Sequence, residues 1–293
     1  MYGAIIGDVA GSIYEVLEIK AVKNKSKRTK EEREKIMDLN VPLFTNMSSM
    51  TDDSVLTCAI ADAIIDECSY EEKLREYGLK EISLGDDLYG RSRFGSGFVK
   101  WLYGLSDGKS YGNGCAMRIS PIGYLYNDIN EIKKQSKLAT VPSHNHSESI
   151  LCSEAVAVSI YLLRNGTTKE ELKKYIEDNY FKLHYDFNEL RENYKFTSRA
   201  INSVPEAIYA FLESDSFLDA IRKAISIGGD ADTIACITGA IAESYYDVPQ
   251  YLIDEVNHFI PDNYKKIVNE FYLKYKCNNK NNVVKKRILK REI

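Results

Sequence analysis

Two acidic motifs stand at the starts of apolar helical stretches, Thr51-Asp52-Asp53 before one and Gly228-Gly229-Asp230-Ala231-Asp232-Thr233 before another. Asp and Thr at a helix start ordinarily cap free backbone N–H groups and meet the positive end of the dipole. One side chain suffices for that, so two carboxylates at each start exceed what capping needs. If the two starts converge, four carboxylates and two hydroxyls share a small volume and repel one another unless cations lie between them. Every donor is a hard oxygen, with no Cys or His in either motif, which suits Mg²⁺, Mn²⁺ or Ca²⁺ and not Zn²⁺ or Cu²⁺. Four carboxylates carry more charge than one divalent ion needs, so the pattern suggests two ions. The twelve-residue ligand spacing of an EF-hand is absent. Taken singly, each motif is equally well read as a cap.

Three further segments could serve the same site. Residues 7–15, Gly-Asp-Val-Ala-Gly-Ser-Ile-Tyr-Glu, combine small residues with two carboxylates. They read as a tightly packed helix whose glycines let a neighbour approach, or as a segment that turns Glu15, and with it Asp8, into the acidic pocket. Residues 110–118, Ser-Tyr-Gly-Asn-Gly-Cys-Ala-Met-Arg, form a glycine-punctuated loop. Such a loop exposes backbone N–H groups that can cradle a phosphate, with Tyr111 available to stack on a base; a plain surface turn is the other reading. No Gly-Lys-Ser/Thr follows, so it is not a Walker A loop. Residues 143–147, Ser-His-Asn-His-Ser, hold two of the four histidines just before a helix. A histidine there is a cap neighbour, or a neutral imidazole bonded to a ribose or phosphate oxygen. His184 and His258 carry no motif, and Cys115 reads as a small packing residue.

The elements that must position these groups are helical. Leu56, Ala59, Ile60, Ala63 and Ile64 share one face between residues 52 and 68. Residues 149–163 repeat the pattern, with Gly166 placed to end the helix. Thr168 to Glu171 reads as a capping box, and Pro205 falls in the first turn of another helix. A helix at 216–227 stops at Gly228-Gly229, and the next runs from 232 to 245. Regular alternating runs are missing, so the expected class is all-α, a single domain over residues 1–276 followed by a basic tail at 277–293. The charged stretch 20–35 reads as a solvated face, or as a basic rim attracting an anionic ligand.

Composition agrees. The chain has 293 residues, 28% charged and 44% hydrophobic, with 39 Lys and Arg against 43 Asp and Glu and a formal net charge of −4. That does not favour nucleic-acid binding through bulk charge. Six scattered cysteines without a CxxC pair argue against a zinc site or a disulfide framework and fit a reducing compartment. No apolar run reaches membrane-spanning length, and the first residues are too soon acidic for a signal peptide. The expectation is a soluble cytoplasmic protein with no membrane partner.

In this order, the five segments resemble the ADP-ribosylglycohydrolase family, which includes the dinitrogenase reductase-activating glycohydrolases and the ADP-ribosyl-acceptor hydrolases. The family's Gly-Asp-x-x-Gly-Ser-x-Tyr-Glu is matched at 7–15 and its Thr-Asp-Asp-Ser/Thr at 51–54. Its Tyr-Gly-Asn-Gly-x-Ala-Met-Arg is matched at 111–118, its histidine segment at 143–150 and its Gly-Gly-Asp-x-Asp-Thr at 228–233. The resemblance implies an all-α orthogonal bundle of helices with a dinuclear metal cleft holding two Mg²⁺ ions, Mn²⁺ being the alternative. It implies metal ligands Thr51, Asp52, Asp53, Asp230, Asp232 and Thr233, and a glutamate, Glu15, approaching the metals. Ser110, Tyr111, Gly112 and Asn113 match the loop that holds the diphosphate and adenosine side, and His146 the histidine that contacts the ligand. In the family the region of 20–35 borders the substrate entrance.

The expected reaction is hydrolysis at the anomeric carbon of a ribose joined to an acceptor such as serine or arginine, releasing ADP-ribose. The metals would orient the ribose hydroxyls and lower the pKa of a bound water, and the transition state would have oxocarbenium character. Glu15 would activate water or protonate the leaving group, while Asp52 and Asp53 mainly hold metal. A hydrolase for another ADP-ribosyl-like or nucleoside substrate, a catalytically idle ADP-ribose binder and an interaction protein remain open at this stage. The partner is an ADP-ribosylated protein, with a modified nucleic acid an unlikelier acceptor.

Overall fold

A computed structural model describes residues 1–23, 29–87, 90, 92–184 and 186–278. Among these, fifteen α-helices follow one another with no strand: α1 (Tyr2–Lys23), α2 (Lys30–Met37), α3 (Asp52–Ile65), α4 (Tyr70–Ser83), α5 (Ser96–Leu102), α6 (Ser120–Leu125), α7 (Ile129–His144), α8 (Ser147–Arg164), α9 (Lys169–Asn179), α10 (Phe187–Asn193), α11 (Val204–Leu212), α12 (Phe217–Ile227), α13 (Ala231–Ala242), α14 (Gln250–Val256) and α15 (Asp262–Asn278). The all-α expectation holds. The capping box at Thr168 and Glu171 forms as read, and Pro205 sits in the first turn of α11. The helix expected at 232–245 begins one residue earlier and ends three residues sooner, at Ala242.

At the centre lies α13, buried along its whole length and packed against α1, α11 and α12. Its closest neighbour is α1. Gly3, Gly7 and Gly11 recur every four residues, so they form one stripe on α1, and that stripe lies on α13. A Cβ at Gly7 would sit 2.7 Å from the Cys236 amide nitrogen, and one at Gly11 2.7 Å from both the Ala231 carbonyl and the Asp232 amide nitrogen. Only a bare backbone fits there. This close approach carries the carboxylates of Asp8 and Glu15 to the N-terminal end of α13. Gly228 and Gly229, at φ 89° and 69°, then turn the chain from α12 straight into α13. Two consecutive left-handed positions favour glycine, and they aim Asp230 and Asp232 back at α1.

The remaining helices close around this pair. α3 packs on α1, α4 and α15, and α8 on α6 and α7. The charged stretch 20–35 is largely solvated where described, as one of its two readings expected, with Arg33 the buried exception: α2 exposes most of its length and docks Ile36 against α12, where Arg222 donates to the Ile36 carbonyl at 2.6 Å. Residues 24–28 lie outside the described residues, as do 279–293 of the proposed tail.

Candidate active site

Thr51 caps α3, accepting from the Asp53 amide at 3.3 Å. Asp8, fully buried on α1, takes three hydrogen bonds from this corner: the Thr51 amide at 3.0 Å, the Thr51 hydroxyl at 2.6 Å and the Ser54 amide at 3.1 Å. The start of α3 is thereby fastened to α1. From α13, the Thr233 hydroxyl donates to Asp53 Oδ2 at 3.3 Å. Asn113, on the glycine loop, donates from Nδ2 to Asp230 Oδ2 at 2.8 Å. Four segments distant in sequence therefore meet at one point.

Two groups of carboxylates result. Asp8, Asp53 and Asp232 offer oxygens within 4.8 Å of one another, and so do Glu15, Asp230 and Asp232. Asp232 belongs to both, the arrangement expected of a carboxylate between two neighbouring ions. Burial, then the neighbouring carboxylates, pushes Asp52, Asp53 and Asp232 well above the usual carboxylate range. Burial also raises Asp8, against the hydrogen bonds it accepts. One oxygen of Asp53, Oδ1, is buried without a hydrogen-bond partner among the described residues. Such an orphan is costly unless something fills it. An all-oxygen donor set, mutual repulsion and an orphaned oxygen together fit hard divalent cations.

The carboxylates form one end of a cleft of about 500 Å³ whose walls include Phe94, Phe98, Met117, His144 and Phe196. That volume suits a small-molecule ligand. The glycine loop forms another wall and is clamped by residues 198–200: the Asn113 amide donates to the Ser198 carbonyl at 2.8 Å and the Ala200 amide to the Tyr111 carbonyl at 3.0 Å. The Gly112 amide is taken by Ser110 Oγ at 3.1 Å. The Gly112 and Asn113 amides, candidates for cradling a phosphate, are thus engaged within the protein.

Tyr111 and His146 face a second groove, which adjoins the cleft and shares Phe196 and Ser198 with it. Tyr111 is 57% exposed, so its ring is free for a ligand. The His146 ring meets it edge-on with centroids 5.8 Å apart, and the Arg199 guanidinium lies 5.7 Å from its centroid. Arg199 is held by Glu148 through bonds of 2.8 and 2.6 Å. His146 itself caps α8, its Nδ1 accepting from the Glu148 amide at 3.3 Å.

The residues named from sequence fall into three places. Thr51, Asp53, Asp230, Asp232 and Thr233 converge with Glu15, and Asp52 lines the same cleft without joining either carboxylate group. Ser110, Gly112 and Asn113 line the cleft wall, while Tyr111 and His146 lie in the adjoining groove. No described residue of 20–35 lines the cleft, although Ile19 just before the stretch does, and residues 24–28 lie outside the described residues. Cys115 is fully buried, its thiol against the Gly112 carbonyl at 3.2 Å, and burial pushes its pKa up, so it packs as read. Three residues at the site carried no clear signal. Asp8 was visible only as a companion of Glu15. His144 and Arg118, both buried and both lining the cleft, lay inside the quoted histidine and glycine-loop segments, but the role of ligand contact was given to His146 and none to Arg118.

The sequence model of a family described as ADP-ribosylglycohydrolase matches residues 1–280. A mouse (Mus musculus) protein named ADP-ribosylhydrolase ARH3 is 24% identical over 310 residues, covering 85% of this chain and 83% of its own. Its chicken (Gallus gallus) namesake is 31% identical over 187 residues, a match spanning 48% of this chain and 51% of that protein, about half of each. A Pseudomonas putida protein named ADP-ribosylarginine hydrolase Tri1 is 24% identical and covers 85% of this chain and 70% of its own. A solved structure titled "ADP-ribosylglycohydrolase-related protein complex" superposes with a TM-score of 0.67 at 19% identity, over 94% of this chain and 95% of that one, which is a likeness of fold. No helix among the described residues is long and apolar enough to cross a membrane.

Proposed function

The chain belongs to the ADP-ribosylglycohydrolase family, and from that premise we propose that it is a Mg²⁺-dependent hydrolase that releases ADP-ribose from a modified serine or arginine side chain. The observation that carries the reading is the pair of carboxylate groups sharing Asp232 in a cleft walled by the glycine loop and adjoined by the groove of Tyr111. The names of the relatives, an ADP-ribosylhydrolase and an ADP-ribosylarginine hydrolase, support the substrate class.

Thr51, Asp52, Asp53, Asp230, Asp232 and Thr233 would hold two Mg²⁺ ions, or Mn²⁺ in their place, with Asp8 holding Thr51 in position. Bound there, the ions supply positive charge that grips sugar hydroxyls and makes water more acidic. This chain's own groups do the rest. Asn113 fixes the Asp230 carboxylate through its 2.8 Å hydrogen bond. The distal ribose lies against the carboxylates, the diphosphate runs along Ser110, Gly112 and Asn113, and the adenine reaches the groove where Tyr111 offers an exposed ring beside His146. Glu15, beside Asp230 and Asp232, moves the proton. The bond from the anomeric carbon to the acceptor breaks with oxocarbenium character, water adds to that carbon, and the acceptor leaves with a proton.

We read the protein as cytoplasmic, in keeping with its scattered cysteines, of which the five described are unpaired, and its partner as an ADP-ribosylated protein. The test is a panel of arginine-, serine- and nucleic-acid-linked ADP-ribose, incubated after chelation and again with Mg²⁺ restored. Free ADP-ribose from the serine or arginine substrate, only with the metal present, is the expected result. Release that survives chelation, or no release from any of them, contradicts the reading.

A further inference from the structure

A further cavity, of about 650 Å³, adjoins the groove of Tyr111 and shares Phe196, Thr197 and Asn202 with it. Leu183, Leu190, Tyr194 and Phe196 give it apolar walls, and the Tyr194 ring is fixed by its hydroxyl, which donates to the Asn202 carbonyl at 2.7 Å. Glu206, 7% exposed, is the one buried charge among its lining residues. The local sequence offers this glutamate an ordinary task. Ser203-Val204-Pro205-Glu206 has the spacing of a capping box, in which the glutamate would accept from the serine amide. That box does not form: the Ser203 amide donates to the Ala200 carbonyl at 3.1 Å, and no side chain caps α11.

Glu206 turns instead to His184, whose Nε2 lies 3.2 Å from Oε1. Oε2 is buried without a hydrogen-bond partner among the described residues. Half of a buried carboxylate left unbonded is costly. Nothing at the rim repairs it. Lys195 is exposed and makes no ion pair with Glu206. Asp186 is engaged as the cap of α10, its Oδ1 accepting from the Asn188 amide at 2.8 Å, and Glu189 is exposed. The cavity therefore sets three carboxylates against one lysine and one histidine. Apolar walls that cover an aliphatic stem, aromatic rings that attract a charge and a carboxylate that accepts N–H groups are together what recognises an organic cation. A guanidinium meets these demands, being flat and carrying several N–H groups.

We propose that this cavity is a binding site for a guanidinium on an aliphatic stem, in which Glu206 accepts from the guanidinium and Leu183, Leu190, Tyr194 and Phe196 enclose the stem. The same chemistry is offered by a small molecule and by an arginine side chain of a protein. The site is separate from the carboxylates of the cleft and does not rest on the proposed hydrolysis.

The test is calorimetry with N-acetyl-arginine amide and its uncharged isostere N-acetyl-citrulline amide, with Mg²⁺ and ADP-ribose in excess so that the acidic cleft is filled. The arginine probe should bind about tenfold or more tightly than citrulline. Glu206→Gln keeps the shape and removes the charge, so arginine should weaken by about tenfold or more while citrulline stays within about twofold. The His184 ring gives a second readout in the wild-type protein. Its bond to Glu206, with the Glu189 charge, holds its pKa above the usual value against burial. A guanidinium on the same carboxylate adds a like charge, so saturating arginine should move the NMR titration of His184 to lower pH and citrulline should not. Equal binding of the two probes, or unchanged arginine binding in Glu206→Gln, overturns the site. If Glu206→Gln does not fold, the His184 titration decides, and a titration that arginine leaves unmoved overturns the site. The acetylated peptide Ala-Arg-Ala distinguishes the sources: tighter binding than the amide assigns a protein side chain, and equal or weaker binding a small molecule. Absence of any ADP-ribose binding would count against the proposed function, while Glu206→Gln would still decide this site.

Discussion

Gly11 is the point where α1 touches the first turn of α13, and replacing it by alanine tests whether helix contact sets the acidic site. The new Cβ would lie 2.7 Å from the Ala231 carbonyl and the Asp232 amide nitrogen and nearer still to Asp232 Cα, whereas ordinary contact begins at 3.4 Å. The atoms it meets are backbone, so the helices must separate by about 1 Å locally. Overpacking of this kind costs about 1–3 kcal/mol, offset in part by about 1 kcal/mol of alanine's better helix propensity. The larger effect is on geometry. Asp8 lies three residues before Gly11 and Glu15 four after, and both face Asp232. A displacement of about 1 Å in a reacting constellation can cost about a hundredfold in rate. Gly3→Ala is the matched comparison: its Cβ would meet Glu243 Cβ at 2.8 Å at the other end of the same stripe, away from the carboxylates. Both variants should melt somewhat lower than wild type by calorimetry, but only Gly11→Ala should lose most of its ADP-ribose release and need more Mg²⁺ for what remains. Wild-type turnover in Gly11→Ala, or equal losses in the two variants, refutes the argument that the glycine stripe places the site.

Three further outcomes follow from the same geometry. Asp230→Asn keeps volume but removes a charge, so metal affinity and turnover should fall together, measured by titration calorimetry and ADP-ribose release; full activity contradicts its role as a ligand. Glu15→Gln should lower turnover by about a hundredfold or more while ADP-ribose still binds, and loss of binding alone would make Glu15 a structural residue. Tyr111→Ala should weaken ADP-ribose by about tenfold, the worth of one aromatic contact. Ribose should bind as before, and equal weakening of both would show that the ring supports the site rather than the base.

Chemistry was legible in the sequence where residue types exceeded a local need. Paired aspartates at Thr51-Asp52-Asp53 and at Asp230-Ala231-Asp232 are more than caps, and the structure joins them through Asp53 and Thr233. Their convergence was not legible from spacing, since it depends on α1 meeting α13 at the glycine stripe, and a stripe of small residues does not name its partner. Resemblance to a family supplied that link. His144 and His146 illustrate a second limit. They lie two residues apart, yet His144 ends α7 and turns inward onto Ser143, while His146 begins α8 and is taken up as its cap. Position along the chain does not distinguish these environments. Arg118 shows a third, because an arginine is read by default as exposed, and nothing local shows that it is fully buried. For the stretch 20–35, charge signalled the solvated face that most of α2 presents, but nothing in it showed that Arg33 is buried or that Arg222 of α12 bonds the Ile36 carbonyl at its end.

The account stands on two carboxylate groups that share Asp232 and hold two cations. Anomalous scattering from crystals of the full chain grown with Mn²⁺ and ADP-ribose tests this most directly. Two manganese peaks are expected among Thr51, Asp52, Asp53, Asp230, Asp232 and Thr233, one on either side of Asp232, with Glu15 nearby and the distal ribose beside them. A single peak, none at all, or peaks lying away from Asp232 would contradict it.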